Sequence, residues 1–128
     1  MSEVVVLDAS ALAAVLLGEP GADAVAPLLA VALVNAVNVA EVLIVLQRHG
    51  VGLPAAVRML ETLAFETVAA DGVLAREIAE VHGLARSRGL SLADCACLAT
   101  ARARHATAVT ADRAWAGLEV GVAISVVR

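Results

Sequence analysis

Val4-Val5-Val6-Leu7-Asp8-Ala9-Ser10 sets four aliphatic residues directly against an acid and a small hydroxyl residue. Three β-branched valines followed by leucine read as a short buried strand, extending over Glu3 to Leu7 and ending at Asp8. Ser10 is expected to cap a helix running to about Leu17, closed by Gly18 and Pro20. The unit is strand, acid, helix. Its recurrence decides the fold.

Working outward, Ala22 to Leu29 reads as a second helix. Val31 to Val37 fits best as a buried strand before an Asn38-capped helix reaching about Arg48. His49-Gly50-Val51-Gly52 is a turn, and Pro54 starts a helix to about Leu63. Phe65 to Ala69 is strand-like, and a helix follows from about Asp71 to Arg86 until Gly89 breaks it. Ser91 starts a helix to about Arg104, Thr107 to Thr110 is a strand, and Asp112 starts a short helical turn. Ala123 to Val127 is the last strand. Short apolar strands alternating with helices predict an α/β sandwich around a mostly parallel central sheet. At 128 residues the chain is the size of one domain, 1–128, and no linker or internal repeat divides it.

Three further stretches repeat the pattern of an acid beside an apolar segment. They are Asn38-Val39-Ala40-Glu41, Ser91-Leu92-Ala93-Asp94 and Thr110-Ala111-Asp112-Arg113. Asp8 and Asp112 fall at strand ends, and Glu41 and Asp94 in the first turns of helices. All four are candidates for the carboxyl edge of the sheet, where ligands of such folds sit. Each acid alone has a structural explanation. Ser91 with Asp94 fits a capping box, Asn38 with Glu41 a looser one, and Asp8 and Asp112 can lead or cap a turn. Together they would repel one another, and capping gives no reason to gather them. A hard divalent cation such as Mg2+ or Mn2+ removes that conflict, because it prefers carboxylate oxygen and retains several waters. Hydroxyls at Ser10 and Thr110 are placed to orient the carboxylates or a metal-held water.

Composition narrows the setting. The chain is 61% hydrophobic and 17% charged, with one Phe, one Trp and no Tyr. Mean hydropathy of +0.88 raises the question of a membrane span. The best candidate, Ala24 to Leu46, contains Pro27, Asn35, Asn38 and Glu41, and much of the rest is alanine. Met1-Ser2-Glu3 lacks the basic start of a secretory signal, so a cytoplasmic protein with no membrane partner is expected. The apolar excess suggests surface covered by a protein partner. Cys95 and Cys97, two apart on a helix, point in different directions and read as core fillers.

Net charge is −4, which argues against a generally basic nucleic-acid binder. Charge is unevenly spread, however. From His82 to Arg113, five arginines (Arg86, Arg88, Arg102, Arg104, Arg113) meet two acids, whereas elsewhere four arginines meet eleven. Arg113, beside Asp112, is the first candidate for a substrate phosphate, with the other four behind it.

Asp8-Ala-Ser10, Asn38-x-x-Glu41, Ser91-Leu-Ala-Asp94 and Thr110-Ala-Asp112-Arg113 resemble the four signatures of PIN-domain ribonucleases. Their order and spacing look most like the VapC-type toxins of bacterial type II toxin–antitoxin pairs. The resemblance spans nearly the whole chain. It implies a three-layer α/β/α sandwich that binds Mg2+ or Mn2+ and hydrolyses RNA phosphodiester bonds as an endoribonuclease. It also implies that Asp8, Glu41, Asp94 and Asp112 are the catalytic, metal-binding quartet. Such toxins commonly form homodimers and are neutralised by a small protein antitoxin, whose tail packs in an apolar groove.

Two other readings compete. A phosphoaspartate enzyme also ends its first strand in Asp, but those families need a lysine at the phosphate and this chain has none. A non-catalytic or metal-binding PIN-like interaction module would keep the acids as caps. His49, His82 and His105 show no metal-site spacing, and no GxSxG or phosphate-loop motif occurs.

Overall fold

A computed structural model describes residues 3–128; Met1 and Ser2, from the acidic start discussed above, lie outside the described residues. The valine run forms β1 (Val5–Leu7), buried along its length. Four more strands follow: β2 (Ala32–Asn35), β3 (Glu66–Val68), β4 (Thr107–Thr110) and β5 (Ile124–Val126). They assemble in the order β3-β2-β1-β4-β5, and every pairing is parallel. The expected mostly parallel sheet is therefore wholly parallel.

Side chains alternate across it. Val6, Leu33 and Ala108 pack with Leu74, Val81, Leu98 and Trp115 from α5 (Gly72–Leu84), α6 (Leu92–Arg104) and the turn after β4. Val5, Leu7, Val34 and Val109 pack with Leu12, Val42, Leu46 and Leu60. Those come from α1 (Ala9–Leu17), α3 (Ala36–Arg48) and α4 (Leu53–Glu61). Two helical layers thus enclose one sheet, as the period-two burial of its strands demands.

Chain order places the functional edge. From β1 the chain builds outward through β2 and β3, then returns to lay β4 and β5 on the other side of β1. The order reverses between β1 and β4, and in open α/β sheets the crevice for ligands opens at the carboxyl ends of such a pair. Asp8 follows β1 and Asp112 follows β4.

Several boundaries differ from the sequence reading, each for a local reason. Strand β1 begins at Val5, not Glu3. Helix α1 is capped by Asp8, whose side chain accepts from the Ala11 amide, rather than by Ser10. The Ala22–Leu29 helix is a short α2 (Ala22–Val25) continued by a tighter 3-10 segment, Ala26–Val31, with Pro27 in its first turn. The second strand stops at Asn35, and Asn35 caps α3 by accepting from the Val37 amide; Asn38 is not the cap. Helix α5 ends at Leu84, and Arg86–Arg88 form a single 3-10 turn before Gly89.

The Ala24–Leu46 stretch is divided among a 3-10 segment, β2 and α3. Among the described residues no single helix is long and apolar enough to cross a membrane; only α1 with Ala22–Val31 together pass by length and composition, and they are bent by 109°.

Candidate metal and catalytic site

Asp8 leaves the central strand only 5% exposed. Its Oδ1 accepts from the Ala11 amide at 2.9 Å and the Ser10 hydroxyl at 2.8 Å, and its Oδ2 from the Thr110 hydroxyl at 2.6 Å. Ser10 Oγ in turn accepts from the Ala111 amide at 2.9 Å, and Thr110 Oγ1 from the Asp112 amide at 3.0 Å. The ends of β1 and β4 are therefore laced together by two hydroxyls, and Asp8 is held in one orientation. Asp112 caps the 3-10 turn Arg113–Trp115 through the Ala114 amide.

Asp94 enters from α6. Its Oδ2 accepts from the Ser91 amide at 3.0 Å, while Ser91 Oγ accepts from the Asp94 amide at 3.1 Å, which completes the capping box read from the sequence. Glu41 enters from α3. Because α3 begins at Ala36, Glu41 is its sixth residue and lies beyond the first turn. It therefore caps nothing, contrary to the looser capping reading. Asn38, fully buried, donates to the Ala93 carbonyl at 3.0 Å and ties α3 to the start of α6.

These acids line one cleft of about 330 Å3 with Ser10 and an apolar wall of Ala9, Ala13 and Val45. Glu19 lines it as well, and sequence reasoning missed it. It follows Gly18, whose left-handed φ of 65° ends α1 and turns the chain back toward the cleft. No arginine lines this cleft.

The crowding has electrostatic consequences. Burial pushes the Asp8 carboxyl above its ordinary value, against the pull of hydrogen bonds from Thr110, Ala11 and Ser10, and the charge of Asp94 adds to the rise. Glu41 is raised by burial, then by Asp94 and Asp8, with Asn38 working the other way. Asp8, Glu41 and Asp94 thus feel one another across the cleft. Among the described residues no group of three or more His, Cys, Asp or Glu side chains is gathered closely enough to hold a metal ion by itself. The donor set nonetheless fits a cation of the Mg2+ class, which takes one or two protein carboxylates and keeps water for its remaining positions.

The arginines divide. Arg113 lines the depression adjoining the acids at Ser10 and Asp112. Arg86, Arg88, Arg102 and Arg104 line neither the cleft nor its two adjoining depressions. Arg88 donates to the Ala114 and Ala116 carbonyls, and Arg86 to that of Gly83. Arg102 pairs with Glu80 at 3.1 Å and Glu77 at 3.7 Å. It lies with Arg104 at the far end of α6, beside the amino-terminal edge of the sheet. The sequence reading grouped these residues by proximity along the chain, but α6 carries its two ends to opposite sides of the molecule. Arg48 and Arg128, which it passed over, line the two adjoining depressions.

A family model described as PIN domain matches residues 5–120. No curated protein sequence matches the chain. Among solved structures, a toxin–antitoxin complex from Klebsiella pneumoniae is similar with a TM-score of 0.73 at 17% identity, covering 97% of this chain and 98% of that one. FitAcB from Neisseria gonorrhoeae gives 0.73 at 21% identity, covering 94% and 96%. VapC20 from Mycobacterium tuberculosis, a toxin that cleaves the sarcin–ricin loop, gives 0.70 at 18% identity, covering 93% and 98%.

Proposed function

The chain belongs to the PIN-domain family, and on that premise we propose that it is a metal-dependent endoribonuclease, the toxin of a toxin–antitoxin pair. The observation that carries the reading is Glu41. Asp8, Asp94 and Asp112 each cap a helix or turn and would be explained without a ligand. Glu41 caps nothing, yet it lines the cleft with Asp8 and Asp94, where burial first and then those two charges disfavour its ionised form. An interaction module that used its acids only as caps would have no reason to keep it there.

In this proposal Asp8 and Asp94 would hold the cation, and Glu41 and Asp112 would complete one or two sites. When bound, Mg2+ or Mn2+ supplies activation of water and stabilisation of charge at the phosphate. Thr110 and Ser10 keep the Asp8 carboxylate aimed, and Arg113 holds a substrate phosphate at the mouth. Water rather than the ribose hydroxyl is the nucleophile, so the products carry 5′-phosphate and 3′-hydroxyl ends.

The protein partners are part of the proposal. Two of the similar structures are described as a toxin–antitoxin complex and a toxin. This chain offers an apolar groove of about 390 Å3 between α3, α4 and β3, lined by Leu43, Val57, Leu60 and Phe65, for an antitoxin segment. Exposed Val73 and Leu84 are candidates for a homodimer contact. A cytoplasmic location accords with an RNA substrate.

The test is cleavage of a structured RNA with Mg2+ or Mn2+, with and without EDTA, beside Asp8→Asn and Asp94→Asn. We expect metal-dependent cutting by the wild type alone. Equal cutting by all three proteins would place the activity elsewhere. Titration with Mn2+ in a calorimeter separates a binding site from a set of caps, which would give no saturable heat.

A further inference from the structure

The cleft continues beyond its acids in two directions. On one side it opens into a depression of about 440 Å3 that shares Glu41 and Val45 with it and carries Arg48. On the other it meets one of about 580 Å3 that shares Ser10 and Asp112 and carries Arg113 and Arg128. Arg48 follows Glu41 by seven positions on α3, so the two share a helix face about 10 Å apart along the axis. Arg48 is exposed, and the salt bridges among the described residues both belong to Arg102. Arg113 donates to the main-chain oxygen of Arg128 at 3.4 Å. A chain of net charge −4 with no lysine therefore keeps guanidinium groups at both mouths of a cleft lined by five acids.

The geometry points to a two-ended clamp on a single RNA strand, resting on the nuclease reading above. Arg48 binds a phosphate on one side of the scissile bond, and Arg113 with Arg128 binds one on the other. A polyanion laid across the acids is repelled by them. Guanidinium groups at either end offset that repulsion through charge-assisted contacts and draw the strand taut over Asp8 and Glu41. On the Arg48 side, Ile44 (48% exposed) and Leu92 (68% exposed) offer apolar surface to an unstacked base. Arg102 and Arg104, at the opposite edge of the sheet, take no part.

The experiment measures binding apart from cutting. Fluorescence anisotropy of a labelled single-stranded RNA is followed in an Asp8→Asn background with EDTA, over a range of salt. Arg48→Ala and Arg113→Ala are each expected to weaken binding about tenfold. Each should also lower the salt slope by about 0.7, as for one lost phosphate contact on a single strand. Arg48→Lys retains most of the affinity, and Arg104→Ala all of it. Trimming the RNA from one end costs affinity in the parent protein but not in Arg48→Ala; trimming from the other end spares Arg113→Ala. Unchanged affinity and salt slope in Arg48→Ala overturn the clamp, and wild-type cleavage with Mg2+ would then leave the nuclease reading standing. RNA bound through both arginines but never cut by the wild type removes the nuclease reading and keeps the clamp. No RNA binding at all removes both. A change in oligomeric mass in Arg48→Ala, with RNA affinity intact, assigns Ile44 and Leu92 to a second copy of the chain and overturns the clamp as well.

Discussion

The hydroxyl of Thr110 donates to Asp8 Oδ2 at 2.6 Å, closing a link between residues 102 positions apart in the chain. It joins the last residue of β4 to the first residue past β1, the two strands between which the order of the sheet reverses. The same Thr110 oxygen accepts from the Asp112 amide, so one hydroxyl holds both acids of this edge in place. Site geometry and sheet assembly are the same interaction.

Thr110→Val keeps the shape and removes that donor. A buried carboxylate oxygen loses its partner, so unfolding free energy is expected to fall by about 1–3 kcal/mol. Mn2+ affinity is expected to drop about tenfold, because Asp8 is no longer aimed. Denaturant unfolding and a Mn2+ titration measure the two effects, and an unchanged affinity would show that Thr110 serves folding alone.

Glu41→Gln separates function from stability. No cap is lost, and one charge repelling Asp8 and Asp94 disappears. The metal-free unfolding free energy is expected to stay constant or rise, within about 1 kcal/mol, while cleavage falls by at least about a hundredfold. A large loss of stability would mean that Glu41 has a structural partner after all. Asp94→Ala behaves differently: it breaks the capping box with Ser91 and costs about 1 kcal/mol as well as activity.

The pH dependence of the metal-free protein follows from the raised carboxyls. The folded state holds the Asp8 proton more tightly than the unfolded chain does. That contribution to stability is fully present below the ordinary value of 3.8 and is lost as pH rises through the higher folded value. Glu41 follows the same course from 4.5. Asp8→Asn does not titrate, and its Oδ1 can still accept from Ala11, so its stability should decline less over the same window. Unfolding in EDTA at a series of pH values checks this, and parallel profiles for the two proteins would contradict it.

Both cysteines are buried and free. Burial pushes the Cys97 thiol well up, and Asp8, Asp94 and Glu41 push it further; Cys95 is raised by burial and then by Asp94. The thiolate is the reactive form. Iodoacetamide at pH 8 is therefore expected to modify neither residue in the native protein and both after denaturation. Intact mass gives the count, and rapid native labelling would place a thiol outside the core.

The parts of the site written in short range were open to inspection. The buried strand before Asp8 and the Ser91-x-x-Asp94 box depend on neighbours within a few residues; the box stands as read, and the strand is shorter by two residues at its start. Helix starts were less secure where two capping residues compete. Asp8 lies two positions before Ser10, and Asn35 three before Asn38; in each case the earlier residue caps and the later one reaches across to another element. Glu19 carries no local sign of its place in the cleft. Arg48 had one: its seven-residue spacing from Glu41 puts both on one helical face.

Alternating apolar strands and helices were sufficient for a parallel α/β sandwich, because burial periodicity and helix caps are properties of adjacent residues. Which acids meet, and which arginines stand near them, depends on the reversal of strand order beside β1 and on the direction in which α6 crosses the sheet. Those are long-range arrangements. Coulomb interactions act through space, so only the folded chain sets Glu41 against Asp94 and carries Arg104 away from both.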